Sequence, residues 1–306
     1  MHLRAMLPLA AMLMFNGLAY AAEDPDTAGK ISACNQAIGE GDASKALAYA
    51  EQVLKHDKNN RSALLCKGRA HGGTGQVREA LAALQAAEKL SASPNEHMVA
   101  LTLIGNVQKS AKQSEEAIAT YRKSLDIARA DKNKYFERIN LNLIGETQVD
   151  SNQLEAGLQN YLAASPLAAN DNERADSYAR IASTYSSLGK HDQAIEYQIK
   201  AFLMEERGGN LDHYANAGLE LGRIYTVAKD YLNAEKYLNK ILKLSKDQGG
   251  AFWEAKSYYY LALAKAASGD AASAKTFLSD AQSISDEIGA QALSEQIAQA
   301  QSKLPR

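Results

Sequence analysis

The sequence predicts an all-α protein, an α-solenoid of about seven helix hairpins closed by a C-terminal capping helix, and three observations carry that prediction. A glycine, alanine or similarly small residue is followed twelve positions later by another at Cys34/Ala46, Gly68/Ala80, Gly105/Ala117, Gly145/Gly157, Ala182/Ala194, Gly222/Ala234 and Ala262/Ala274. Apolar residues flank each pair at helical spacing, as Leu101 and Ile104 do before Gly105, and Tyr121 and Leu125 after Ala117. Proline is nearly absent from the interior, as helices require, because it lacks an N–H and clashes with the preceding turn. A small recurring unit of this kind cannot bury its own apolar face, and stacking copies of it does.

Taken in chain order, residues 1–21 read as a secretory signal peptide. Met1-His2-Leu3-Arg4 leads into an apolar run from Ala5 to Phe15, and Ala19-Tyr20-Ala21 places small residues before a cut that leaves Ala22 first. The rival reading is an uncleaved anchor, but the run is shorter than the roughly 20 residues a span needs and is broken by Asn16 and Gly17. Residues 22–306 then form a single solenoid. Its repeats are expected near 27–60, 61–94, 98–134, 138–171, 175–211, 215–250 and 255–288.

The turns inside the hairpins are marked by Gly41-Asp42, Gly75, Gly189-Lys190, Lys229-Asp230 and Gly269-Asp270, glycine ending one helix and aspartate capping the next. Ser93-Pro94-Asn95-Glu96 is a fuller start signal, with a serine cap, proline in the first turn and glutamate reaching back. The small residues sit where two helix axes cross, because bulk there would push them past the usual 8 to 10 Å, roughly. After the seventh hairpin, Leu293, Ile297, Ala300 and Leu304 fall on one helical face, so a cap helix is expected over 290–304.

Segments such as Tyr178 to Ala201, with Ile181, Ala182, Tyr185, Gly189, Ala194, Ile195 and Tyr197, resemble tetratricopeptide repeats, as do Leu101 to Leu125 and Gly218 to Leu242. The resemblance covers nearly all of the chain after the leader. It implies a right-handed superhelix and a general binding scaffold whose partner the fold does not name. The period departs from 34 residues: the small positions are 34 apart from Cys34 to Gly68, then 37, 40, 37, 40 and 40. Ile127–Arg138 and Leu203–Asn216 are accordingly expected to be long second helices with polar bends.

Composition narrows the function. Removing the leader takes Arg4 with it and leaves 33 basic against 36 acidic side chains, with no basic run, so nucleic acid is not an expected partner. No helix joins a lysine-rich face to a strongly apolar one, so no membrane partner is expected once the leader is gone. The expected address is the periplasm, with secretion as the alternative. Cys34 and Cys66, the two cysteines, lie in the first helices of adjacent repeats, and two readings stand: a disulfide joining the repeats in an oxidising compartment, or free buried thiols in small-residue positions.

Chemistry is not indicated. His56, His71, His97, His191 and His213 are scattered without metal-ligand spacing, and Gly72-Gly73-Thr74-Gly75 lacks the lysine and hydroxyl of a phosphate loop and sits where a turn belongs. No catalytic, metal or cofactor site is expected, and the protein is read as not an enzyme. The first helix of each hairpin should line a concave groove. Its candidate partner-binding residues are Asn35, Arg69, Asn106, Lys109, Asn142, Glu146, Ser183, Leu219, Arg223 and Tyr259, Tyr259 being the member of Tyr258-Tyr259-Tyr260 expected to reach the groove.

The asparagines suit an extended backbone, since an amide both donates and accepts. The clamp by which some relatives of this repeat hold an acidic C-terminus is not expected: Arg69, Asn106 and Lys109 fit, but Ile31, Leu65 and Cys66 occupy its other places. The expected function is a non-enzymatic scaffold or adaptor holding a protein or peptide of the bacterial cell envelope; the alternative is a sensor that responds to a small molecule or short peptide.

Overall fold

A computed structural model describes residues 25–304, so the signal peptide expected at 1–21 lies outside the described residues. Fifteen α-helices and a short 3-10 turn at Ser165–Leu167 make up the described chain, with no strand among them. The helices pair as α1 (Pro25–Gly39) with α2 (Ala43–His56), α3 (Arg61–Gly73) with α4 (Val77–Lys89), and α5 (Pro94–Ser110) with α6 (Ser114–Ala130). Next come α7 (Lys134–Asp150) with α8 (Leu154–Ala164), α9 (Asp171–Ser187) with α10 (His191–Gly208), and α11 (Leu211–Val227) with α12 (Tyr231–Gln248). The last pair is α13 (Ala251–Ala267) with α14 (Ala271–Glu287), and α15 (Gln291–Lys303) follows. Each second helix packs on the first helix of the next hairpin, and consecutive first helices also touch, as α1 does α3 and α11 does α13. The result is an all-α repeat solenoid.

Capping chemistry sets these bounds. Ser93 accepts from the Glu96 N–H while the Glu96 carboxylate accepts from the Ser93 N–H, a complete capping box with Pro94 in the first turn. Asp42, Asp230 and Asp270 cap α2, α12 and α14 through the N–H groups of Lys45, Asn233 and Ser273. The hairpin turns of α5–α6 and α7–α8 contain no glycine, and Lys112 and Asn152 take the left-handed conformation there. From the third hairpin onward the first helices begin at Pro94, Lys134, Asp171, Leu211 and Ala251, about one helical turn before the starts expected at 98, 138, 175, 215 and 255.

Ile127–Arg138 and Leu203–Asn216 are not continuous second helices. Helix α6 stops at Ala130, Lys132 turns left-handed with φ 56°, and Asn133 caps α7 through the Phe136 N–H. Helix α10 stops at Gly208, Gly209 has φ 68°, and Asn210 caps α11 through the His213 N–H. The longer period comes instead from lengthening both helices: α3 and α4 have 13 residues each, α5 and α6 have 17 each.

The small residues do mark the tightest crossings. A Cβ on Gly145 would lie 3.1 Å from the Gly157 carbonyl oxygen, and one on Gly157 would lie 2.8 Å from that of Gly145. A second contact recurs sixteen residues after the first small position. There Leu84 fills the space above Gly68, Tyr121 above Gly105, Tyr161 above Gly145 and Leu238 above Gly222.

At the N-terminal end the core is made of Cys34, Ala46, Ala50, Cys66 and Ala70, and a Cys34–Cys66 disulfide ties α1 to α3. At the other end α15 lays Leu293 and Ile297 against Leu278 and Ala281, roughly 1.5–3 kcal/mol for each side chain so covered.

Candidate functional site

Polar contacts join several neighbouring first helices. Arg69 on α3 donates to the Asn35 side chain on α1 at 2.7 Å. Lys109 on α5 pairs with Glu146 and, at 3.3 Å, with Asp150, both on α7. Glu146 also meets Arg180 on α9 at 3.4 Å, and Arg180 pairs with Asp176 one turn away at 2.9 Å. On α11, Glu220 grips Arg223 with both oxygens, at 2.6 to 3.0 Å, and this partner holds the guanidinium pKa above its ordinary value. Lys256 on α13 donates to Asn216 at 3.5 Å, and the Trp253 indole N–H to Asp212 at 2.6 Å.

Second-helix side chains join this surface from below. The Tyr121 hydroxyl passes between helices to donate to Asn106 at 2.8 Å, and burial pushes its phenol well above the usual tyrosine range. The Tyr161 ring lies 6.0 Å from the Arg180 guanidinium. A cavity of about 390 Å³ opens where α9, α10, α11 and Trp253 meet. Burial draws the Lys256 ammonium at its rim below the ordinary lysine value, against the pull of Glu220.

The expected site residues separate into groups. Asn35, Arg69, Asn106, Lys109, Glu146 and Arg223 take part in the polar contacts just described, and Ser183 is exposed on α9. Leu219 does not line a groove: it is 1% exposed, packed among Phe202, Leu221 and Leu238. Asn142 is 9% exposed, its side-chain oxygen without a hydrogen-bond partner among the described residues.

Both stand three residues before the small position, a column that faces the neighbouring hairpin. Tyr259 stands there too, and together with Leu263, Gln296, Ala300 and Leu304 it lines a cavity of about 230 Å³ between α13 and α15. Tyr260 is the tyrosine beside the Glu220–Arg223 pair; burial, and then Glu220, raise its phenol pKa.

The acidic cavity and Gln198 beneath it were not among the expected site residues. Their signal was present in the sequence as a glutamine in the column otherwise held by Ala50, Leu84, Tyr121, Tyr161, Leu238 and Leu278. Among the described residues no three histidine, cysteine or carboxylate side chains gather as metal ligands, and no helix is long and apolar enough to cross a membrane.

Comparison with known proteins agrees with the geometry. The tetratricopeptide repeat family matches residues 99–131 and 175–207, which cover α5–α6 and α9–α10. No curated protein matches the chain. Among solved structures, the apo form of RapI aligns over 85% of this chain and 77% of its own with a TM-score of 0.66 at 14% identity. BtubC (BKLC) from P. vanneervenii aligns over 74% and 94% with a TM-score of 0.58 at 14% identity. A putative kinesin light chain from Podosopora anserina, described as having nearly identical TPR-like repeats, aligns over 65% and 99% with a TM-score of 0.58, again at 14% identity. At such identities the likeness is one of fold.

Proposed function

We propose that this chain is a non-enzymatic scaffold that holds a protein or peptide along its first helices, and that it works in the bacterial cell envelope. The observation that carries the reading is the row of polar side chains along the first helices from Asn35 to Lys256, joined between α1 and α3, between α5, α7 and α9, and between α11 and α13. Stacked repeats present extended surfaces of this kind to partners. Amide and charged side chains in a row offer donors and acceptors to a peptide backbone without demanding one side chain at each step.

The envelope address rests on the leader read at residues 1–21, with the periplasm as the compartment and secretion as the alternative. The Cys34–Cys66 bridge supports it, because disulfides form and persist in oxidising compartments. Cell fractionation with mass measurement tests the address: a periplasmic protein beginning at Ala22 is expected, and an intact chain in the cytoplasm refutes it.

The scaffold reading is tested by cross-linking in cells and identifying captured proteins with and without the substitutions Arg69→Glu, Asn106→Trp and Lys109→Glu. Loss of specific captured proteins from a folded variant is the expected result. An unchanged set overturns the groove as the binding surface.

A further inference from the structure

The cavity between α9, α10 and α11 differs in kind from the rest of the surface. Four carboxylates line it, of Asp176, Glu205, Asp212 and Glu220. Two are neutralised: Arg180 holds Asp176 and Arg223 holds Glu220. The other two are not. Among the described residues, no lysine or arginine lies within ion-pair distance of Asp212 or Glu205, and Glu205 is only 13% exposed, with His213 Nδ1 at 3.5 Å as its neighbour. Lys256 at the rim turns to Asn216 and to the Trp253 ring, 5.1 Å from its centroid. Glu205 and Asp212 thus present two carboxylates to the cavity that no lysine or arginine among the described residues meets.

A second, independent observation points the same way. Gln198 lines this cavity and is 1% exposed. Its Nε2 donates to the Ala217 carbonyl at 3.0 Å, which fixes the amide's orientation and leaves Oε1 buried without a partner among the described residues. An unsatisfied buried acceptor costs about 1–3 kcal/mol. The equivalent places in other hairpins hold Leu84, Leu238 and Leu278, which incur no such cost. Where Tyr121 stands instead, its hydroxyl has Asn106. The fifth hairpin thus keeps a polar group at an apolar packing position, in the wall of the same cavity that Glu205 and Asp212 line.

We propose that this cavity receives the guanidinium of an arginine in a bound peptide, with Glu205 and Asp212 as counter-charges, Gln198 Oε1 as an added acceptor and the Trp253 ring as a stacking wall. The assignment deepens the scaffold reading and rests on it for the peptide. Arginine suits the site because it brings five N–H donors in a planar fork that pairs with carboxylates and stacks on aromatic faces, where lysine brings a compact point charge. The volume is of the size that ligand pockets commonly have.

Trp253 is the single tryptophan of the chain, so its fluorescence reports this cavity alone. The full protein is titrated with acetyl-Gly-Arg-Gly-amide and with the uncharged citrulline analogue, with calorimetry on the same solutions. The expected result is a saturable signal for the arginine peptide and binding weaker by about tenfold or more for citrulline, the loss of one charge-assisted contact. Glu205→Gln is expected to weaken the arginine peptide by about tenfold as well.

Gln198→Leu, which copies three other hairpins and should fold with unchanged helical circular dichroism, is expected to weaken the peptide severalfold. No saturable binding up to about 10 mM, equal binding of citrulline, or undiminished binding by Glu205→Gln overturns the proposal. Failure here with partner capture still dependent on Arg69, Asn106 and Lys109 removes this pocket and leaves the scaffold. Arginine binding with capture insensitive to those residues keeps the pocket and removes the scaffold.

Discussion

Replacing Gly105 by alanine should destabilise the protein although alanine is the better helix former. A Cβ there would lie 2.3, 2.6 and 2.9 Å from Cε1, Cδ1 and Cζ of Tyr121, whose ring is 0% exposed and whose hydroxyl is held by Asn106. The propensity gain is about 1 kcal/mol, while overpacking of a core position costs about 1–3 kcal/mol. With a ring that cannot rotate away, the upper end applies, and the net loss is about 2 kcal/mol.

Gly145→Ala should cost less, because Tyr161 would lie 2.9 Å away, and Gly29→Ala, with nothing within 4 Å, should gain up to about 1 kcal/mol. Urea unfolding followed by circular dichroism gives the totals. Amide exchange in α5 and α6 localises the effect, because long repeat arrays need not unfold in two states. The fifth hairpin supplies the control, since Ala182 and Gln198 occupy the same two places. In a Tyr121→Gln background the Gly105→Ala cost should shrink, a coupling that a double-mutant cycle measures. Native-like stability of Gly105→Ala, or an equal cost in both backgrounds, would refute the close-approach argument.

Two further outcomes follow from the same structure. Reduction of Cys34–Cys66, which are 32 residues apart, should cost about 3–4 kcal/mol by loop entropy, seen as earlier unfolding in reductant and as faster amide exchange in α1 and α2. Raising the pH should also destabilise the fold. Burial holds the Tyr121 phenol above its unfolded value of about 10, so the folded state keeps a proton that the unfolded chain releases. The stability so contributed is complete below pH ~10 and lost as pH climbs toward the folded value. Tyr121→Phe should flatten the alkaline limb of a melting-temperature profile, and an unchanged limb would count against the assignment.

The repeat order was legible because each hairpin states its tightest crossing with two small residues, and backbone approach leaves little choice of residue there. The breaks at Asp131–Asn133 and Gly209–Asn210 were written in cap chemistry, Asn133 and Asn210, but a strong helical period on both sides concealed them. The groove was harder to read. Leu219 and Asn142 sit on the first helices yet are buried, and a single-helix projection carries no record of what packs above it. The acidic cavity draws residues from four helices, and in the sequence its one trace is Gln198 standing in a column of alanine, leucine and tyrosine.

The bridge between α1 and α3 has a directional consequence. A linear stack of hairpins opens from its free ends, where a unit has one neighbour instead of two. With the N-terminal unit covalently sewn to the next, thermal fraying should start from the α15 tail and travel backwards. A peptide seated at α9 to α11 would lie nearer the loosening edge than the stitched one, so its grip and the integrity of the C-terminal half should rise and fall together.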